Sequence, residues 1–169
     1  MTMTLIETKT LGTAAASIEF TSIPQDGTDL VAFFSFRTTS GAEANVYLTI
    51  NGSTASFTSR NLYGDGSSRA TNTTARYIGV ATGGSQTANT FTNGVLTIPN
   101  YAGATNKSFF ADDVEEANQT QAYQSLVAGL WSNTSAITSI AFTGATWAIG
   151  SIVSLYKITK GTDGIVVVS

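Results

Sequence analysis

The chain has 169 residues with no Cys, no His and 2 Pro, and charged residues make up only 11% of it, for a net charge of -3. The missing Cys and His exclude a disulfide framework, thiolate or imidazole metal ligation, a Cys nucleophile and a Ser-His-Asp triad. The length fits one domain, and a weak negative charge has the wrong sign to favour nucleic acid or an anionic membrane surface.

Hydrophobic residues are 42% and aromatic residues 10% of the chain, enough apolar surface to offset the ordering entropy of a fold. No stretch approaches the 18 or more apolar residues of a membrane span. Met1 to Leu11 lacks a basic segment followed by an apolar run, so it is not read as a signal peptide. The expectation is a non-catalytic protein with no cofactor, no nucleic-acid partner and no membrane partner.

Thr and aromatic residues fit a pleated, half-buried surface, and short apolar runs recur between Gly, Asn, Ser and Asp clusters. Strands are predicted near Thr4–Thr10, Ala16–Ser22, Leu30–Thr38, Ala44–Ile50, Ala55–Arg60, Arg76–Thr82, Thr90–Ile98, Lys107–Ala111, Ala122–Trp131, Ile137–Thr143 and Gly150–Thr159. Alternation puts Ile18 and Phe20 on one face, as it does Val46, Leu48 and Ile50. Leu30–Phe36 alternates less and reads as a strand buried on both sides. Ser17–Thr21 and Ser139–Thr143 look alike, either as ordinary Thr-rich strands or as equivalent strands of a two-Greek-key sandwich.

One stretch reads differently. Asp113–Gln119 has helical composition, and its acidic residues suit a first helical turn, so a short helical turn is predicted near residues 113–119. The many short strands otherwise indicate an all-β, single-domain antiparallel β-sandwich, jelly-roll-like, over residues 1–160. Residues 161–169 form a C-terminal arm or extra strand.

Loops on a rigid sandwich carry binding, which draws attention to Asn61–Ala75 and Gly83–Asn89. Tyr63, Arg69 and Arg76 are candidates for a stacking and hydrogen-bonding surface facing a glycan or a protein. Asp65 sits in a Gly-Asp-Gly sequence that reads as a tight turn within that loop. Asp112, Asp113, Glu115 and Glu116 are dense enough to offer oxygens to a hard cation, but they lack the EF-hand spacing and its glycine, and a solvated acidic turn is the preferred reading. The uncharged β-branched run Ile165, Val166, Val167 and Val168 needs covering. It is either a last strand of its own sandwich or a strand added to a neighbour.

Several blocks carry a resemblance. Ala16–Pro24 followed by Asp29-Leu30-Val31, Leu62–Ser68, Ile98–Tyr101, Ala122–Trp131 and Gly150–Ile158 resemble, in order, virion-associated proteins of tailed phages infecting cyanobacteria and other aquatic bacteria. The resemblance runs over roughly residues 15–161. It implies a β-sandwich structural component of the virion and carries no catalytic residues. No fibre shaft or coiled coil precedes the first strand, which tilts the expectation toward a capsid decoration (cement) protein. Such a protein would sit on the outer surface of the capsid, bind the major capsid protein across subunit junctions and form a homotrimer. The competing expectation is the host-receptor or glycan-binding tip of a tail or head fibre.

Overall fold

The computed structural model describes residues 2–118 and 122–160. These form twelve strands: β1 (Thr2–Thr10), β2 (Ile18–Phe20), β3 (Asp29–Phe36), β4 (Ala44–Ile50), β5 (Phe57–Gly64), β6 (Arg69–Asn72), β7 (Tyr77–Ala81), β8 (Thr92–Pro99), β9 (Lys107–Glu115), β10 (Tyr123–Trp131), β11 (Ile140–Thr143) and β12 (Ile152–Thr159). They make two antiparallel sheets, of order β1-β12-β3-β8-β9-β10-β5-β6 and β2-β11-β4-β7.

Eight of these strands set the topology. With β5, β6, β9 and β10 set aside, the orders are β1-β12-β3-β8 and β2-β11-β4-β7. The chain thus folds like a long hairpin wrapped round itself, with first strand on last and second on second-last, which is a jelly roll. Two hairpin insertions, β5–β6 and β9–β10, widen one sheet on the β8 side. The look-alike segments around β2 and β11 prove to be partners in this scheme, pairing Ile140 with Phe20 and Phe142 with Ile18.

The core lies between the sheets. Phe34, Phe36, Phe142 and Trp147 form one aromatic knot, with the Phe36 and Trp147 rings 4.7 Å apart and nearly parallel. The Trp147 indole N–H donates to the Phe142 carbonyl at 3.1 Å, so its burial leaves no donor orphaned. A second knot, Phe57, Phe109 and Trp131, sits under the insertions. Phe109 lies flat on Gly129, where an added Cβ would come within 2.1 Å of its ring.

Three expectations are corrected. No helical turn begins at Asp113, because β9 continues as strand through Glu115. There it bonds β8 on one side and β10 on the other, and two full ladders outweigh a local helical preference. The stretch Asn61–Ala75 is not one long loop. β5 runs on to Gly64, and Asp65 closes a tight turn into β6, its Oδ1 accepting from the N–H groups of Ser67 at 3.0 Å and Ser68 at 2.7 Å. The turn reading of Asp65-Gly66 therefore stands, with Gly66 at φ 86°. β3 is also not buried on both sides, since Phe33 is 48% exposed on the outer face. The proposed strand Ile165–Val168 lies outside the described residues.

Candidate functional site

Two features stand out from an ordinary sandwich. The first is the outer face of the eight-stranded sheet. Register aligns two adjacent rows of side chains across seven strands. One row runs Leu62, Leu126, Asp112, Val95, Phe33, Ser154 and Thr8. The other runs Arg60, Ala128, Phe110, Thr97, Val31, Tyr156 and Leu5. Only Arg60 and Asp112 are charged. Leu62, Phe110, Leu126 and Leu5 are each about half exposed. Six strand spacings of ~4.8 Å make the strip about 29 Å wide.

β9 shows most sharply how unusual this face is. Its polarity is mixed: Phe110 and Val114 face solvent beside Ser108 and Asp112, while Lys107, Asp113 and Glu115 face the interior beside Phe109 and Ala111. Rings in water and carboxylates in the core both cost an isolated sandwich free energy. Exposed apolar rows with few charges are what the centre of a protein interface presents.

The second feature is the interior beneath β7. Near β3 and β12 the space between the sheets is filled by aliphatic and aromatic groups, but toward β5, β9 and β10 it turns polar. The Tyr77 hydroxyl lies 3.1 Å from Ser125 Oγ, and Thr82 Oγ1 lies 3.1 Å from Thr92 Oγ1. The Val80 N–H donates to Asp113 Oδ2 at 3.1 Å. Asp113 presses against the backbone of Gly79, where an added Cβ would stand 2.8 Å from its carboxyl carbon. The other Asp113 oxygen, both Glu115 oxygens and Asn61 Oδ1 make no hydrogen bond within the described residues. Burial is the main cause of the Asp113 carboxyl being pushed up to about 7, and it raises Glu115 as well, with Glu43 adding to the latter.

This polar wedge opens to solvent as a cleft of about 470 Å³ between the β4/β7 edge and β5/β10. Tyr63 and Tyr123 stand on one wall, their rings 6.3 Å apart and tilted by 47°. Asn61 and Tyr77 border its inner end, and Glu43 and Asn45 its opposite rim. The Tyr123 phenol is raised by burial first, then by Glu43 and Asp65, which keeps it a neutral hydrogen-bonding group at ordinary pH.

The sequence candidates separate. Tyr63 and Asp65 line the cleft, whereas neither Arg69 nor Arg76 does. Arg69 is exposed on β6, opposite Gly64. Arg76 has φ 65° and folds its guanidinium over the Tyr47 ring at 5.2 Å while donating to the Leu48 carbonyl at 3.3 Å. There it braces the irregular β4–β7 pairing. Asp65 is likewise occupied: the N–H groups of Ser68 and Ser67 hold its carboxyl down to about 2. The four-carboxylate cluster does not converge, because Asp112 and Glu116 are exposed while Asp113 and Glu115 are buried. Among the described residues no group of His, Cys, Asp and Glu is placed to hold a metal ion. Sequence reading missed Tyr123 and Asn45, which only the sheet topology brings to the Asn61–Asp65 stretch. It also missed the apolar rows, although the adjacent pair Phe109-Phe110 necessarily points one ring to each face of a strand.

No protein family, curated protein or solved structure matches the chain.

Proposed function

We propose that this chain is a structural protein of a tailed-phage virion. In this reading it seats on the outer capsid as a decoration protein and stabilises the shell across subunit junctions. The observation that carries the reading is the apolar outer face of the eight-stranded sheet, exposed on the single chain and nearly free of charge. A face of this width suits a flat protein surface better than a small ligand. Covering it with capsid subunits removes Phe110, Leu126 and Leu62 from water without desolvating many ions. A lattice offers the same contact many times, so modest affinity at each position still holds the shell together. A homotrimer follows the same logic, since closed three-fold symmetry lets one chain contact several capsid subunits at once. No catalytic step is assigned to the protein.

Quantifying the chain per particle tests this. Hundreds of copies per virion, released together from shells, support decoration. A handful of copies, co-purifying with tails or fibres, overturns it.

The polar cleft favours a second reading, a fibre-tip domain that meets a host-surface glycan. A jelly roll serves either role, and the copy number separates them.

A further inference from the structure

We propose that the cleft between Tyr63, Tyr123 and Asn45 is a binding site for a neutral or amine-bearing saccharide of one or two rings. The inference deepens the second reading above and rests on it only for the kind of ligand. It stands whether the chain sits on a capsid or a fibre.

Four observations carry it. The cleft, at about 470 Å³, lies within the range of small-ligand sites, roughly 300–1,000 Å³. Tyr63 and Tyr123 are both partly buried in one wall, so each ring is fixed yet keeps part of its surface free to pack on the C–H face of a sugar. At the inner end, Asn61 is 6% exposed and closes the floor of the cleft beside Tyr77. Finally, among the described residues the charged groups at the cleft are the carboxylates Glu43 and Asp65, and no Lys or Arg lines it.

These features choose the chemistry. An apolar ligand would leave the amides and phenols unsatisfied. A phosphate, sulfate or acidic sugar would meet two carboxylates and no cation. A polyhydroxylated ring satisfies both demands, with a flat apolar face for the tyrosines and hydroxyls for Asn45 and Glu43 at the rim. Asp65 is committed to its own turn, so its part is to hold Tyr63 in place through the β5–β6 hairpin. Glu43 accepts a hydrogen bond from Gln86, which orients it toward the rim, where it suits a sugar hydroxyl or an ammonium group.

The test uses the full chain on an array of immobilised neutral, amine-bearing and anionic glycans. The best neutral or amine-bearing hit is then titrated by saturation-transfer NMR. Binding to members of the neutral or amine-bearing sets and not to the anionic set is expected. Tyr123→Ala should weaken it by about ten-fold or more, the scale of a lost aromatic anchor. Because Tyr123 also packs on the core, a second variant guards the test. Asn45→Trp lies at an exposed strand position and plugs the mouth of the cleft, and it should abolish binding with an unchanged circular dichroism spectrum. Arg69→Ala, outside the cleft, should bind like the parent. Three results overturn the proposal: no hit in the neutral and amine-bearing sets, binding confined to anionic glycans, or binding that survives Asn45→Trp. Capsid binding is measured separately, so failure here leaves the decoration reading untouched, and its failure leaves this one.

Discussion

Replacing Asp113 by Asn should make the protein more stable at pH 8 and hardly change it at pH 4. Asp113 is 1% exposed, and its carboxylate accepts from the Val80 N–H at 3.1 Å with the Ser125 hydroxyl nearby. Burial raises its carboxyl from 3.8 to about 7, overcoming the lowering effects of Val80 and Ser125. The folded chain therefore holds this proton more tightly than the unfolded chain. Between pH ~4 and ~7 the native state binds the extra proton, so stability falls as pH rises through that window. About three pKa units at ~1.36 kcal/mol each amount to roughly 4 kcal/mol lost by pH 8. Asn keeps an acceptor for Val80 and does not ionise, so it avoids that loss. For a chain of this length about 4 kcal/mol corresponds to roughly 8–15 °C in Tm. Thermal and urea unfolding of both proteins at half-unit steps from pH 4 to 9 provide the assay. The parent curve should bend downward through this window, and the Asp113→Asn curve should be flatter, with the residual slope belonging to Glu115. Parallel curves, or a variant less stable than the parent at pH 8, would refute the assignment of Asp113 as a buried carboxyl held near neutrality.

Four other substitutions probe separate parts of the structure. Leu126→Asp and Phe110→Asp lie on the exposed apolar rows, so each should cost no more than about 1–2 kcal/mol in urea titrations of the isolated chain, which for Leu126→Asp includes repulsion from Asp112 directly across on β9. A loss of several kcal/mol would mean the face is part of the chain's own core. Gly129→Ala forces a Cβ to within 2.1 Å of the Phe109 ring, and overpacking of this kind should cost about 1–3 kcal/mol, read by the same titration. Trp147→Ala empties the aromatic knot that Phe36 and Phe142 share, and should cost about 3–5 kcal/mol or prevent folding, seen as loss of near-ultraviolet circular dichroism.

Strands with regular alternation were legible in the sequence. Ala44–Ile50 is predicted to the residue because Val46, Leu48 and Ile50 form an uninterrupted buried row. Strand β6 was not legible, since Arg69–Asn72 has no large apolar residue and lies at the sheet edge, held by pairing to β5 alone. β9 misleads for a physical reason. Its acidic residues suggest a solvated turn, yet two of them are drawn inside because neighbouring strands claim the backbone on both sides. The same register points Phe110 outward. Local pattern and global fold disagree most strongly here, and such disagreement marks surfaces kept for a purpose other than stability. The cleft was legible only through Tyr63, Asp65 and the β5–β6 stretch that carries them. Its other walls come from β4, β7 and β10, and sequence order does not reveal which strands the jelly roll and its two insertions bring together.

On the decoration reading proposed above, the outer face of the eight-stranded sheet is the surface that meets a capsid. Cosedimentation with shells stripped of the protein measures it directly. The parent chain should rebind in a saturable way at hundreds of copies per shell, while Leu126→Asp and Phe110→Asp, folded and monodisperse, should remain in the supernatant. Rebinding of both variants at parental stoichiometry, or no rebinding of the parent to any shell, would contradict the account.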